Sequence, residues 1–503
     1  MNKVLFFNPR AAESKARVPN SILSIAASIE GKYDYAIVDG NLERNPRKTL
    51  LDYLETGDYK VFACTVMPGP QLRQAIPYTR EIRKKYPHVK IVWGGYFPSN
   101  HSQVCINSGY IDYIIYGPGD HAFPMLMDAI VTGAAVHHIP NLIFKEADTV
   151  IKTKKDELYD QDSLPPLPYD KLNSFYSMKK YIGKSVLGTK TFAYHSSVGC
   201  PFTCAFCGVV PIYNARWKGK CADGIYKDIK WLKESFGGNA IEFHDNNFFV
   251  SEKRTIEFSK LIMKENMVWW GEGRIDTINK YSDETLALMR QSGCKMIFFG
   301  AETGNDAILK KMDKGGTQTA EQIRSFAARM AKFDIIPEYS FVLGIPPFSG
   351  TDTPEQVMKQ IDEDIAFIKE IKTINPKTEI IIYVYSPVPT EGSDMYNKVL
   401  ESGFRFPEKL EDWIGPEWDQ FDLRKNPLTP WLTPEMIDKI KDFETVLNGY
   451  YPTVSDVRLN GFKRKFIRSI ASLRYKTGVY KKPYELKALH LLWKYRQPEI
   501  EGF

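Results

Sequence analysis

The 503-residue sequence predicts an α/β protein: a Rossmann-like, doubly wound sheet, then a full or partial TIM-like (β/α) barrel, then a mainly helical C-terminal region. Three observations predict this. Short β-rich runs alternate with helix-spaced segments, the pattern of parallel sheets. The alternation comes in two series separated by a turn-rich stretch, in a chain too long for one ordinary core. Glycine, proline and polar residues gather just after the strands, where such sheets and barrels keep their ligands.

In the first series, Lys3 to Phe7 is an apolar strand, Ser21 to Ile29 has helical spacing, and Tyr35 to Val38 is a strand ending at Asp39-Gly40. The pattern repeats with Val61 to Thr65, a helix from Gln71 to Lys85, and strands at Lys90 to Trp93 and Tyr110 to Tyr116. The strand ends read Asn8-Pro9, Asp39-Gly40, Thr65-Val66-Met67-Pro68-Gly69, Gly94-Gly95 and Gly117-Pro118-Gly119-Asp120. Small residues there let a large flat ligand approach the backbone; for any one glycine, simple turn closure is the alternative. No GxGxxG follows these strands and no GxxxxGK[ST] exists, which disfavours a dinucleotide or nucleoside triphosphate.

Residues 1–136 therefore form the first domain and 137–185 a bridge, densest in turn signals at Leu164 to Tyr169. The second series, 186–396, carries strands at Thr191 to Ser197, Asn239 to His244, Val268 to Arg274, Met296 to Ala301, Ile335 to Leu343 and Glu379 to Tyr385. Helical stretches such as Ile225 to Glu234 and Asp283 to Ser292 separate them, so about six βα units are expected. Residues 397–503 are read as a helical cap, with a helix from Pro434 to Leu447; its Trp413, Trp418, Trp431 and Trp493 could shape a pocket or simply fill a core.

Hydrophobic residues at 43% and charged residues at 25% are ordinary soluble values. The opening MNKVLFFNPR is too short and too broken for a signal-peptide core, and no stretch approaches the roughly 20 apolar residues of a membrane span. A cytoplasmic protein is expected. Seven Cys, three of them crowded together, suit a reducing compartment and a metal site better than a disulfide framework. The net charge of +6 is uneven: from Arg458 onward a dozen Lys and Arg face three acids. That stretch, with Phe462 to Arg468, Arg474 to Lys476 and Trp493 to Arg496, fits a solvated helical face, an anionic substrate or peripheral membrane contact, with nucleic acid disfavoured.

The chemistry centres on Cys200-Pro-Phe-Thr-Cys204-Ala-Phe-Cys207, just past the first strand of the second series. Three thiolates spaced CxxxCxxC can ligate three corners of a [4Fe-4S] cluster and leave one iron open. Zinc would normally show a fourth ligand; the one close candidate, His195, sits on the strand and is expected to point into the barrel. Cys64, Cys105, Cys221 and Cys294 show no grouping.

CxxxCxxC with Phe206 before the last Cys, after the first strand of a βα barrel, resembles the radical S-adenosylmethionine superfamily. The resemblance implies that the open iron chelates the methionine group of S-adenosylmethionine and that one electron cleaves it to a 5′-deoxyadenosyl radical, with flavodoxin or ferredoxin as reductant. It also implies S-adenosylmethionine contacts: Phe206; Asp245 in Phe243 to Phe249; Arg274 in Gly271-Glu-Gly-Arg-Ile-Asp276; Glu302 in Phe299-Gly-Ala-Glu-Thr-Gly304, followed by Lys310-Lys-Met-Asp-Lys314-Gly315; Gly344 in Gly344-Ile-Pro-Pro347; and Tyr385 in Tyr385 to Thr390. Singly, Asp245, Arg274 and Glu302 could each be a salt-bridge partner.

The first domain is similar to the cobalamin-binding domain of one large subfamily. The resemblance assigns cobalamin contacts to Asn8, Pro9, Asp39, Gly40, Thr65, Val66, Met67, Gln71, Gly94, Gly95, Tyr96, Gly117, Gly119 and Asp120. Two departures stand out: Gly94-Gly-Tyr-Phe-Pro98 replaces a Gly-Gly-Pro-His-Pro turn, and Pro118 replaces an acid. The DxHxxG signature is absent, so the lower face of cobalt is expected to lack a protein His and to lie over the Thr65 to Gln71 loop. The implied activity is methylation of an unactivated carbon of a small-molecule or lipid-like substrate through methylcobalamin. Radical cyclisation or oxidation with the same cofactors is the first alternative, and a non-catalytic cobalamin sensor or carrier the second. A methylthiotransferase would need more cluster Cys in the first domain, where only Cys64 and Cys105 occur.

Overall fold

The computed structural model describes residues 3–11, 16–313, 318–345, 352–418, 428–452 and 459–493. Its first sheet has seven strands: β1 (Lys3–Asn8), β2 (Tyr35–Asp39), β3 (Tyr59–Thr65), β4 (Lys90–Gly94), β5 (Tyr113–Ile115), β6 (Leu142–Glu146) and β7 (Thr149–Lys152), in the order β2-β1-β3-β4-β5-β6-β7. β1 to β5 are parallel. β1 is apolar throughout because both its faces are covered: Val4 and Phe6 pack with Leu23 and Phe123, Leu5 and Phe7 with Leu72 and Ile76.

β6 and β7 form an antiparallel hairpin on the β5 edge, inside the stretch read as a bridge. Its signal is a bare Leu-Ile-Phe, too short to separate from loop by periodicity; the free edge of β5 is what makes it a strand. The rest of the bridge holds the helix Tyr169–Phe175 and brings Tyr176 and Tyr181 back beneath the end of β2.

Beyond it come β8 (Thr191–Tyr194), β9 (Ser197–Gly199), β10 (Trp217–Gly219), β11 (Ala240–Phe243), β12 (Val268–Gly273), β13 (Cys294–Glu302), β14 (Ile336–Leu343) and β15 (Glu379–Val384). β8, β11, β12, β13, β14 and β15 pair in sequence order, all parallel, with β8 and β15 at the two ends of the sheet. Of the two forms expected, the barrel is thus the partial one. Phe243, Trp269, Phe299 and Tyr339 point outward into the core shared with the helices Glu252–Ile262 and Ala320–Lys332, so Glu242, Trp270, Phe298 and Glu338 occupy the inner face. The first domain reaches β8 here: Asn20 Nδ2 donates to the Ala193 carbonyl at 3.4 Å, and Arg17 pairs with Glu242 at 3.1 Å.

The C-terminal region holds the helices Asp394–Glu401, Pro434–Tyr450, Gly461–Thr477 and Tyr484–Trp493. The Thr433 hydroxyl caps the second of them, accepting from the Met436 N–H. Its tryptophans divide between the roles expected. Trp413 is buried against Phe97 and His101 of the first domain, whereas Trp431 stacks on Tyr385 and donates to the Gly344 carbonyl at 2.9 Å, at the ends of β14 and β15. No described helix is long and apolar enough to cross a membrane.

Candidate active site

The cysteine loop leaves β9 through Gly199, whose φ of 76° and a Cβ position only 2.2 Å from the Arg216 carbonyl oxygen admit glycine alone. Two separate segments, Met312-Asp313 and Thr390, hold the loop. The Ala205 N–H donates to the Met312 carbonyl at 2.8 Å, Thr203 Oγ1 donates to Asp313 at 2.9 Å, and Thr390 Oγ1 donates to the Ala205 carbonyl. Cys204 is buried, with Cys200 and Cys207 half-buried. Burial, then the neighbouring Cys204, push the Cys207 thiol up to about 12; burial also raises Cys200, opposed in part by Arg274. Such thiols resist ionising by themselves. A cation that binds all three removes the cost, because metal coordination deprotonates a thiol outright. Three thiols within reach of one another's charge, with a guanidinium alongside, therefore fit an iron–sulfur cluster.

That guanidinium is Arg274. Nη1 donates to Cys204 Sγ at 3.2 Å, Nε and Nη2 clamp Asp276 at 2.9 and 2.6 Å, and the group lies 3.8 Å from the Phe202 ring centroid. Asp245 is fully buried: it accepts from the Ser196 N–H at 2.6 Å, from both the Ser196 and Ser197 hydroxyls, and stands 4.0 Å from Arg254. In the structure it braces the entry to the cysteine loop. Glu302 ends β13 at a bulge with φ of 66°, a left-handed conformation a Glu adopts only under constraint, and its charge reaches Cys207. Gly344 has φ of 84° with Leu432 against it; Tyr385 is buried, and Phe206 packs partly buried beside the first domain's core. Lys314, Gly315, Pro346, Pro347 and Lys494 to Arg496 lie outside the described residues, as does Arg458. His195 turns toward the inner face, its ring 6.2 Å from that of His244.

At the first sheet's carboxyl ends the expected residues interlock. Asn8 Nδ2 donates to Asp39 at 3.1 Å, Gln71 Nε2 donates to the Pro9 carbonyl at 2.9 Å, and the Met67 N–H donates to Gln71 Oε1 at 2.7 Å. Tyr181 donates to Asp39 at 2.8 Å, and Gly40 sits against Gln74 and the Arg10 backbone. Gly95, φ 98°, is packed so that a Cβ there would stand 3.0 Å from Thr65 Oγ1 and from the Val66 backbone, tighter than a side chain tolerates. Gly117 (φ 129°) and Gly119, which abuts Ile25, flank Asp120, which accepts from Ser24.

The two sets of strand ends meet. Tyr96 lies against Gly208, one residue past Cys207, and Asn100 Nδ2 donates to the carbonyls of Tyr96 and Gly208 at 3.1 and 3.2 Å. Lys155 donates to the Pro211 and Ile212 carbonyls from the hairpin side.

A B12-binding domain model matches residues 17–127 and a radical SAM superfamily model residues 194–361, together more than half of the chain. This is a B12-binding radical S-adenosylmethionine enzyme.

Among relatives, an uncharacterized methyltransferase of Pyrococcus horikoshii is 25% identical over 73% of this chain and 78% of its own. An anaerobic magnesium-protoporphyrin IX monomethyl ester cyclase of Synechocystis is 24% identical over 55% of this chain, which spans only 56% of that relative. In fold, the radical S-adenosylmethionine methyltransferase TsrM from Kitasatospora setae, solved with tryptophan substrate and a SAM analogue, matches with TM-score 0.67 at 16% identity over 97% of this chain and 99% of its own. The cobalamin-dependent S-adenosylmethionine radical enzyme OxsB matches with TM-score 0.69 at 14% identity over 99% and 76%.

Several residues that build this radical SAM enzyme's site left no mark in the sequence reading. Arg254 and the tyrosines 176 and 181 reach the site from elsewhere in the chain. Asp276 was visible in the Arg274 segment, and its spacing of two from the arginine was the available signal for their bidentate pair.

Proposed function

We propose that this enzyme methylates an unactivated carbon of a small-molecule or lipid-like substrate. The observation that supports this reading above others is the contact between the Gly94–Asn100 turn and the cysteine loop, which joins the carboxyl-end turns of the two sheets. The residues present fit Cys200, Cys204 and Cys207 as cluster ligands, Arg274, Glu302, Gly344 and Tyr385 as the rim for S-adenosylmethionine, and the Gly94-Gly95 and Gly117 to Asp120 turns as the cobalamin bed. When bound, these groups supply radical hydrogen abstraction and a transferable methyl. The chain's own part is positional: Asp245 and Thr390 fix the loop, Arg274 offsets thiolate charge, and Trp431 with Leu432 closes the β14–β15 end against water.

After anaerobic reconstitution, wild type should hold iron and inorganic sulfide and form 5′-deoxyadenosine and a product heavier by one methylene. C204S should lose the cluster and at least about a thousandfold of the activity. A product lighter by two hydrogens would replace methylation by the cyclase or oxidoreductase reading. A wild-type site holding zinc would overturn both.

One surface supports a lipid-side substrate. Phe462, Phe466 and Leu473 are 75%, 44% and 73% exposed along one stripe of the helix Gly461–Thr477, flanked by Lys463, Lys465 and Lys476, and Leu491 and Leu492 are exposed on the next helix. The protein should co-sediment with phosphatidylserine vesicles but not with neutral phosphatidylcholine, and F462S/F466S should abolish it.

A further inference from the structure

The inner face of the open barrel holds more carboxyl groups than cations. Register aligns Glu242 with Trp270, Glu272 with Phe298, Phe298 with Glu338, and Glu338 with Glu379. Most of the acids there have a cation: Arg17 pairs with Glu242 at 3.1 Å and contacts His244, Arg254 stands 4.0 Å from Asp245, and Lys372 lies within the field of Glu379. Glu272 lies in the field of Arg17 but, like Glu338, forms no ion pair with a Lys or Arg among the described residues.

Both are nine-tenths buried or more, at 6% and 1% exposure, and Oε1 of each has no hydrogen-bond partner. Glu338 Oε2 accepts from Trp270 Nε1 at 3.0 Å, and His244 Nδ1 stands 3.9 Å from Glu272 Oε1 without bonding it. An orphaned buried carboxyl oxygen forfeits the hydrogen bonds that water would give it. Neighbouring carboxyls add to this: burial, then Asp245 and Glu338, push Glu272 well above the carboxylate range against the pull of Arg17, and burial, with Glu379 and Glu242, lifts Glu338 to about 8 despite the Trp270 bond. His195, on the same face, is exposed, so the face borders open space that a ligand can enter.

We propose that Glu272 and Glu338 form a subsite for a protonated amine or guanidinium group of the substrate, with the Trp270 indole as its wall. A cation satisfies both orphan oxygens and offsets the crowding of carboxyls on this face, and an indole beside it adds cation–π attraction. A neutral or anionic group does neither. The proposal rests on the reading of this barrel as the substrate chamber and adds the charge of what enters it.

The test is calorimetric titration of the cluster- and cobalamin-loaded protein at pH 7 with agmatine and phenethylamine, against 2-phenylethanol and phenylacetate. The amines should bind with release of about one proton, read from the dependence of heat on the buffer, since Arg17, Glu242, His244, Asp245 and Glu379 already have partners or charges facing them. The alcohol and the carboxylate should not bind. E272Q and E338Q, with cluster absorbance and cobalamin content at wild-type levels, should each weaken amine binding about tenfold or more. Amines that fail to bind, an alcohol or acid that binds as well, or variants that bind amines like wild type would each overturn the subsite. Amine binding lost in E272Q, in a protein that cleaves no S-adenosylmethionine, would leave the subsite standing and sink the methyltransferase reading instead.

Discussion

Glu338 gives the barrel a pH dependence whose sign follows from its surroundings. Its folded-state value of about 8 lies above the ordinary 4.5, so the folded protein keeps this proton where the unfolded chain has lost it. The stability it contributes is fully present below pH 4.5 and is lost as pH rises through about 8. E338Q keeps a neutral group of the same shape beside Trp270, so the variant should gain in thermal midpoint over wild type progressively from pH 6 to 9, which scanning calorimetry checks. At this scale the sequence showed which residues were chemical but not what each one faced. The sequence points to Arg274 and Asp245 as cofactor contacts; on the protein side Arg274 is bound to Asp276 and Cys204, and Asp245 braces two serines and stands near Arg254.

Among the elements, the turn from β9 into the cysteine loop is the most tightly constrained. A Cβ at Gly199 would meet the Arg216 carbonyl at 2.2 Å, and the positive φ adds strain of about 1–3 kcal/mol. G199A should therefore fold, since the outer barrel core is untouched, yet take up less than about a tenth of the wild-type iron and sulfide on reconstitution, measured by iron and sulfide assay. The parallel strands of both sheets were legible because they are apolar, β-branched and punctuated by turn residues. The β6–β7 hairpin was not, because its identity comes from the edge of β5, more than 25 residues earlier in the chain.

In the whole molecule, the decisive arrangement is the first domain's turn lying on the second domain's cysteine loop. Asn100 joins them through the bond from its amide to the Gly208 carbonyl, while the same amide ties back to Tyr96. N100A should leave 5′-deoxyadenosine formation within about twofold of wild type, because the cysteines and the S-adenosylmethionine rim are intact, while methyl transfer falls about tenfold; the ratio of the two products measures the coupling. The two sheets, the thiol triad and the glycine turns are legible in the residues alone, since each is written in contiguous residues whose local geometry and chemistry suffice. Packing between distant segments alone settles that the barrel stays open, that Arg17 enters it from the other domain, and that, among the described residues, Glu272 and Glu338 each keep a buried carboxyl oxygen without a hydrogen-bond partner. Charge pairing is a property of distance between side chains on different strands, and no spacing along one chain encodes which partner remains missing.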